Sequence, residues 1–296
     1  MPKEVETEVI GEGDSGIPLL QLIKAEQWEE IERELAESAV EANVRSPANL
    51  FRSKSVCYPL HYLCKKNRAP LSTIKAMIEA APTTLYSTDT GTKSLPIHIA
   101  CWYGQPLESI RELLSANPTC MKRADKDGNL PLHTAASFAS PDVVQLLLEA
   151  DPSTAATLNK RKQTPLHCAC LRRDISTTVI EKLLEAAPES VQRQDWLYRC
   201  PIHDACMNQA STAVLERLLA AFPRVVLVFD KQLLTPYGIC RERLGLPTND
   251  PVVILIRKFM RQHSPAVIRF RNILQFMVED TKSAFGTERH ASATHL

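Results

Sequence analysis

Five histidines are the residues of this chain whose type and spacing first suggest chemistry. They are His61, His98, His133, His167 and His203, separated by 37, 35, 34 and 36 residues. Imidazole is a common metal ligand and general base near neutral pH. Each of these histidines, however, lies two residues after a proline. A histidine in that fixed register can bond backbone groups of its own turn and of a neighbouring unit. We therefore predict a structural role for all five.

The cysteines follow the same register. Four of the nine lie five residues after a proline, namely Cys64, Cys101, Cys170 and Cys206. Equivalent positions on adjacent helices should lie about 8–10 Å apart, which is too far for a disulfide. The pair Cys168-x-Cys170 lacks the spacing of a zinc site. Free cysteine packs as a small apolar residue, and we predict that role here, with no metal.

Other chemistry-bearing patterns are absent from the sequence. It contains no glycine-rich phosphate loop and no nucleophile elbow, and we predict a protein that is not an enzyme. We expect no cofactor and no small-molecule substrate. The net charge of +1 gives no overall case for binding nucleic acid.

Met1-Pro2-Lys3-Glu4 does not resemble a secretory signal, and no apolar run is long enough to span a membrane. The many cysteines favour a reducing compartment, so we expect the cytoplasm, with the nucleus as the alternative.

The prolines define the elements that must position these residues. They are Pro59, Pro96, Pro131, Pro165, Pro201 and a worn copy at Pro236, spaced 37, 35, 34, 36 and 35 residues apart. The fullest copy, residues 125–136, combines a turn glycine, Gly128, with a helix that starts at Pro131. A fixed period of this length predicts a solenoid of stacked helical units.

A second helix is predicted in each unit after a short break. The five segments are 72–80, 107–116, 141–150, 177–186 and 212–221. Their apolar residues recur at helical spacing, as in Val144, Leu147 and Leu148. Each segment is followed by a proline that should end the helix, and Ser140 before Pro141 is a predicted N-cap. Residues 17–36 resemble a further pair of short helices, with Leu19 and Ile31 facing inward.

These residues resemble the ankyrin-repeat family, whose unit opens with Asp-x-x-Gly-x-Thr-Pro-Leu-His-x-Ala-Ala. Asp125, Gly128, Pro131, Leu132 and His133 match that pattern. The resemblance implies a mainly α fold, an α-solenoid of stacked helix–turn–helix repeats joined by short hairpin-like turns. The sequence departs from the pattern at the turn glycine, which is replaced in the other units by Lys93, Lys162, Tyr198 and Leu233.

The resemblance predicts a repeat domain at 17–262 between flanking segments. The predicted parts are a disordered lead-in (1–16), a cap unit (17–57), repeats starting near 58, 95, 130, 164 and 200, a degenerate repeat near 235, an extra amphipathic C-terminal helix (263–281) and a disordered tail (282–296).

The resemblance also implies a binding surface at the turn tips and at the sixth and seventh residues after each proline. Carried over to this sequence, the predicted partner-binding residues are Trp102, Tyr103, Phe138, Leu171, Arg172, Trp196, Met207, Lys160 and Arg161. Exposed aromatic and arginine side chains are the usual anchors of such sites. We therefore predict a protein-binding scaffold or adaptor with its partner on the concave face. The alternative for the rings is that some of them pack between units.

A basic segment near the C-terminus suggests a different function. Residues 251–278 contain no acid but include Arg257, Lys258, Arg261, Arg269 and Arg271. This segment could dock a peripheral adaptor on an anionic membrane or acidic assembly, but a C-terminal cap with its polar face in water is the favoured interpretation. The final residues, Thr294-His295-Leu296, resemble a ligand for PDZ domains.

Overall fold

The computed structural model describes residues 18–41, 58–66, 69–89 and 91–263, and these contain helices and turns but no strand. Two short helices come first, α1 (Pro18–Ala25) and α2 (Trp28–Glu41). Leu19 in α1 and Ile31 in α2 are buried, as their spacing predicts. The α2 helix packs against the second helix of the unit that follows.

Each of the five clear units begins with a short helix that starts at its proline. These first helices are α3 (Pro59–Lys65), α5 (Pro96–Trp102), α7 (Pro131–Phe138), α9 (Pro165–Cys170) and α11 (Pro201–Met207). Proline is tolerated there because the first residue of a helix needs no N–H donor. Successive first helices pack against one another.

The second helices lie where the apolar spacing predicts them, with one start shifted by one residue. They are α4 (Leu71–Ala80), α6 (Leu107–Ala116), α8 (Pro141–Ala150), α10 (Thr177–Ala186) and α12 (Thr212–Ala221). Ser176 and Ser211 cap their helices by accepting a backbone N–H. Ser140 is the N-cap residue of α8, as predicted, although its hydroxyl accepts no backbone N–H.

The proline after each second helix does more than end it, because it also begins a 3₁₀ segment. The five segments are Pro82–Tyr86, Pro118–Lys122, Pro152–Ala156, Pro188–Gln192 and Pro223–Leu227. The residue before the proline leaves the helical region, as Ala81 does with φ −141° and ψ 64°. The proline's fixed φ then suits a 3₁₀ turn as well as an α-helix. These segments were not predicted from the sequence.

The worn sixth unit is shorter than the others but keeps the same order of elements. Its first helix, α13 (Pro236–Gly238), continues into a π-helical turn at Ile239–Arg243. The last described helix, α14 (Pro251–His263), buries Val253 and Ile256 and packs against α12. A single cluster of buried apolar side chains runs from Leu19 to Met260, as stacked repeats require.

Several predictions concern residues outside the described part of the chain. They include the lead-in, residues 42–57 of the cap unit, the tail with Thr294-His295-Leu296, and nearly all of the extra helix at 263–281 with Arg269 and Arg271. The division of the chain at 17–262 stays a prediction.

Four turns hold a bulky residue in the left-handed region where the fullest unit has glycine. Lys93, Lys162, Tyr198 and Leu233 have φ between 55° and 61°, whereas Gly128 has φ 82°. A residue with a Cβ costs roughly 1–2 kcal/mol in this region. At Gly128 space also matters, because a Cβ there would lie 2.8 Å from the backbone nitrogen of Lys160. The turn is therefore imposed on these residues by the units stacked on either side.

This strain leads to a stability prediction. Leu233 is 79% exposed, so its side chain contributes little packing, and Leu233→Gly should relieve the left-handed strain. Leu158 is a matched control, because it is an exposed leucine of another turn and its φ is not positive. In chemical denaturation, Leu233→Gly should be more stable than Leu158→Gly by about 1 kcal/mol or more. Equal stabilities for the two variants would contradict the strain.

Candidate partner-binding surface

The five histidines join each unit to the next. In four of them Nδ1 accepts the N–H of the residue just before the unit's own proline, over 3.1–3.2 Å. Because Nδ1 accepts, Nε2 carries the proton, and it donates to a backbone carbonyl of the following unit. For example, His98 Nε2 lies 3.1 Å from the oxygen of Asn129, and His133 Nε2 lies 3.1 Å from that of Gln163. His61 makes the same bond to Ser94 over 3.0 Å. The predicted structural role is confirmed.

Burial keeps these imidazoles neutral. Desolvation lowers the pKa of His98, His133 and His167 to about 4. A histidine held this way has no acceptor nitrogen free to act as a base.

The lowered pKa values predict acid sensitivity. The folded pKa of about 4 lies below the ordinary 6.5, so the stabilisation is complete above pH 6.5 and is lost as the pH falls toward 4. At pH 5 each such histidine should lower the free energy of unfolding by about 2 kcal/mol relative to its value well above pH 6.5. His133→Gln should therefore be destabilised at pH 7 yet lose less than wild type between pH 7 and pH 5. His263→Gln, which alters an exposed histidine, should show the same loss as wild type.

The cysteines pack in the interior. All eight cysteines in the described residues are free and buried. Burial raises the pKa of the Cys120 and Cys168 thiols to about 12, which disfavours a reactive thiolate. Within the described ranges, no group of three histidine, cysteine or acidic side chains is placed to hold a metal ion.

The turn tips form one continuous row held together by backbone hydrogen bonds. Lys126 donates its N–H to the carbonyl of Thr92 over 2.7 Å, and Lys160 donates to Asp127 over 3.0 Å. The row continues with Trp196 to Arg161 over 3.0 Å and ends with Lys231 to Leu197 over 2.8 Å. Side chains on five different units are thereby fixed relative to one another.

A capping side chain shapes each tip. Asp195 Oδ1 accepts the N–H groups of Leu197 and Arg199, over 2.8 and 2.9 Å. The carboxylates of Asp125 and Asp230 accept the equivalent pairs in their own turns, as does the amide oxygen of Asn159. Two bonds from one oxygen close the turn and point the side chains between them outward.

The structure brings together part of the predicted aromatic surface. Trp102 and Phe138, from successive units, lie with ring centroids 4.2 Å apart. Both remain exposed, Trp102 by 56% and Phe138 by 43%. Tyr103, Leu171 and Trp196 are also exposed. The two rings therefore contact each other across units without entering the core.

Other predicted residues are less available than these. Met207 is half-buried against the core, with its sulfur 3.9 Å from Arg199 Nη1. Arg172 is half-buried and lies 3.4 Å from Asp174. Lys160 and Arg161 are exposed, although Lys160 Nζ donates to the carbonyl of Lys126 over 2.6 Å.

The predicted basic patch is divided. Arg257 is half-buried against Tyr237, with Nη2 3.0 Å from the phenol oxygen and the guanidinium 5.7 Å from the ring centre. Lys258 and Arg261 are exposed, and Arg269 and Arg271 lie outside the described residues. In the part of the chain that the structure describes, no helix has the length and apolarity needed to cross a bilayer.

Sequence reasoning missed a set of apolar side chains at the tips. Four of them are exposed, Leu158, Tyr198, Phe229 and Leu233. Tyr198 and Leu233 occupy the slot of the turn glycine, and the other two precede a capping residue. The replacement of the glycine was the available signal, because a turn that must be left-handed projects whatever side chain stands there.

Sequence reasoning also missed a buried acid. Asp204 is fully buried three residues after Pro201, at a position held elsewhere by Tyr62, Ile99, Thr134 and Cys168. Arg199 Nη1 lies 3.1 Å from its Oδ1, yet neither carboxylate oxygen has a hydrogen-bond partner among the described residues. Desolvation raises the pKa of Asp204 to about 7, with Arg199 opposing the shift and Asp195 adding to it.

The buried acid predicts the opposite pH dependence from the histidines. Because the folded pKa of about 7 exceeds the ordinary 3.8, Asp204 destabilises the fold as the pH rises through 7. The groups around it are Arg199, Asp195 and the thiols of Cys168, Cys170 and Cys200. Asp204→Asn should be more stable than wild type by about 1–3 kcal/mol at pH 8 and by less at pH 5.

Chemical denaturation at the two pH values measures the difference. Asp127→Asn, at an exposed acid of a turn tip, is the control and should follow the wild-type profile. A loss of stability in Asp204→Asn at pH 8 would show that the contact with Arg199 outweighs the desolvation.

Comparison with known proteins places this geometry. A family profile described as ankyrin repeats, in three copies, matches residues 60–157, 97–195 and 132–227, which together span more than half of the chain. No curated protein matches this chain. Among solved structures, the chain is similar to the ankyrin repeat domain of Bcl-3, described as a unique member of the IkappaB protein family. The two are 19% identical, the match covers 82% of this chain and 99% of that one, and the TM-score is 0.58. This likeness concerns the fold alone.

Proposed function

The chain belongs to the ankyrin-repeat family, and we propose that it is a scaffold or adaptor that holds a partner protein on the concave face of its stack. Ankyrin repeats are generally protein–protein interaction modules and typically have no catalytic activity. The observation that carries the proposal for this chain is the exposed contact between Trp102 and Phe138. As part of the same proposal, we assign the protein to the cytoplasm or nucleus.

Packing within the stack does not explain this pair. Core positions such as Leu132, Leu166 and Ile202 hold similar aliphatic residues from unit to unit and are fully buried. The positions of Trp102 and Phe138 hold unrelated residues in other units, including Ser137 and Asn208. Large rings that are exposed and not repeated are typical of binding anchors.

The surroundings of the pair suit a binding surface. Tyr103 and Leu171 extend the apolar area on the first helices, and Trp196 and Arg161 stand on the tip row. The hydrogen bonds between tips fix the backbone of Trp196 and Arg161 before a partner arrives. Binding to a surface that is already ordered loses less conformational entropy than binding to a flexible one.

The alternative function, docking of basic C-terminal helices on an anionic membrane, is not supported by the described residues. Arg257 is engaged by Tyr237 in the sixth unit, and α14 contributes Val253 and Ile256 to the core. The packing of α14 against α12 favours the role of a cap for this helix.

The proposed anchors can be tested directly. A partner is first captured from native extract, identified and purified, and its affinity is then measured for wild type and variants. Trp102→Ala or Phe138→Ala should weaken binding by about 2 kcal/mol or more, since each removes one ring of the pair. Circular dichroism and melting should change little, because neither ring belongs to the core.

Tyr86→Ala is the matched control. Tyr86 is a similarly exposed aromatic residue, 58% accessible, and it ends a 3₁₀ segment and so belongs to neither a tip segment nor a first helix. It should bind the partner as wild type does. If Trp102→Ala and Phe138→Ala both retain wild-type affinity, the partner binds elsewhere.

A further inference from the structure

The turn tips carry a strong excess of positive charge. Within residues 91–94, 123–129, 158–163, 193–199 and 229–234, eight cationic side chains are exposed: Lys93, Arg123, Lys126, Lys160, Arg161, Lys162, Arg193 and Lys231. We call these eight residues the basic tip row. The same segments expose a single acid, Asp127. The backbone bonds between tips place the cations along one edge of the molecule.

The other acids of the tips do not neutralise this row. The carboxylates of Asp89, Asp195 and Asp230 are buried and accept hydrogen bonds from their own turns. Asp125 is half-buried and bonded in the same way. Among the described residues, none of the eight cations forms an ion pair, so the row presents its full charge to solvent.

The second helices and 3₁₀ segments have the opposite character. Their exposed acids include Glu108, Asp142, Glu149, Glu185, Glu189 and Glu216. Three of the exposed cations in these elements, Arg111, Lys122 and Arg217, each pair with an acid. The overall charge of +1 therefore conceals a separation of charge between tips and second helices. A field of one sign along one edge attracts a partner of the other sign.

We propose that the basic tip row binds an acidic, extended segment of the partner protein. The inference rests on the proposed function and names the chemistry of the partner. Charge complementarity is the first support. The second is that Trp196, Tyr198 and Leu233 stand exposed among the cations, which favours a protein segment with apolar residues between its acids. Tyr198 and Leu233 are also held in the left-handed region, where a glycine would be less strained.

The spacing of the tips suggests the pattern of the acids. Neighbouring helices in such a stack lie about 8–10 Å apart, and an extended chain advances about 3.3 Å per residue. One acid in every three residues would therefore meet one tip after another. At the first end of the row, Lys93 and Arg123 line a groove of about 610 Å³, together with Tyr58, Leu95 and Asp89, whose carboxylate accepts a hydrogen bond from its own turn. This groove can receive the last acidic side chain of the segment.

The test uses the full chain and a fluorescein-labelled peptide with glutamate at every third position and leucine and serine between. Fluorescence anisotropy should show binding that weakens about tenfold or more between about 50 and about 300 mM salt. The same peptide with glutamine in place of glutamate should bind at least about tenfold more weakly. A short DNA duplex serves as a second polyanion and should bind more weakly than the acidic peptide.

Charge reversal locates the site. A triple variant reverses one exposed cation on each of three tips, namely Lys126→Glu, Arg161→Glu and Lys231→Glu. It should weaken peptide binding by about tenfold or more. A control variant makes the same change in net charge on exposed residues outside the tips, namely Arg33→Glu, Arg111→Glu and Arg224→Glu. It should change the affinity for the peptide by less than about twofold. If the reversed tips do not fold, the corresponding glutamine variant replaces them.

The outcomes separate this proposal from the proposed function. Any one of three results would overturn the acidic-segment proposal. These are equal binding of the glutamate and glutamine peptides, equal effects of the two charge variants, and tighter binding of the DNA duplex than of the acidic peptide. The partner affinities of Trp102→Ala and Phe138→Ala would still test the proposed function independently. Conversely, if those variants bind the partner normally while the tip variant loses the peptide, the aromatic anchors fail and the basic tip row remains.

Discussion

The hydrogen bond from a buried imidazole to the carbonyl of the next unit is the interaction on which the rest of the structure depends. It works only with a neutral ring, because Nδ1 must accept from one unit while Nε2 donates to the next. The interior enforces neutrality through desolvation. One side chain thus fixes the start of a first helix, the turn that follows in the next unit, and the distance between them. The tip row inherits its regularity from this bond.

The period of the prolines was sufficient to predict most of the fold, because proline restricts the backbone in the same way wherever it stands. Pro131 and Pro141 set two helix starts, and the apolar spacing after them set which face is buried. The 3₁₀ segments escaped prediction because proline is equally compatible with the end of a helix and the start of a tighter turn. The left-handed turns at Tyr198 and Leu233 escaped because local preference opposes them, and only stacking between units overrides it.

The candidate surface was predictable to a lesser degree. The register of Trp102 and Phe138 could be assigned from the sequence, but their mutual contact and exposure are properties of two units together. The net charge obscured the basic tip row, since composition does not record which acids are turned inward as caps. Asp204 shows the same limit, because its raised pKa arises from burial within the stack, which composition does not record.

The aspartates of the tips connect the stability of the fold to the character of its surface. A capping carboxylate must face inward to accept backbone N–H groups, and in doing so it is removed from the exposed surface. The side chains that follow each capping residue face outward, and in this chain most of them are cationic or apolar, with Asp127 the one acid. Shaping the turn and concentrating positive charge beside apolar groups are therefore consequences of the same geometry. A partner that binds the tips would meet a surface whose order is already provided by the bonds that hold the stack together.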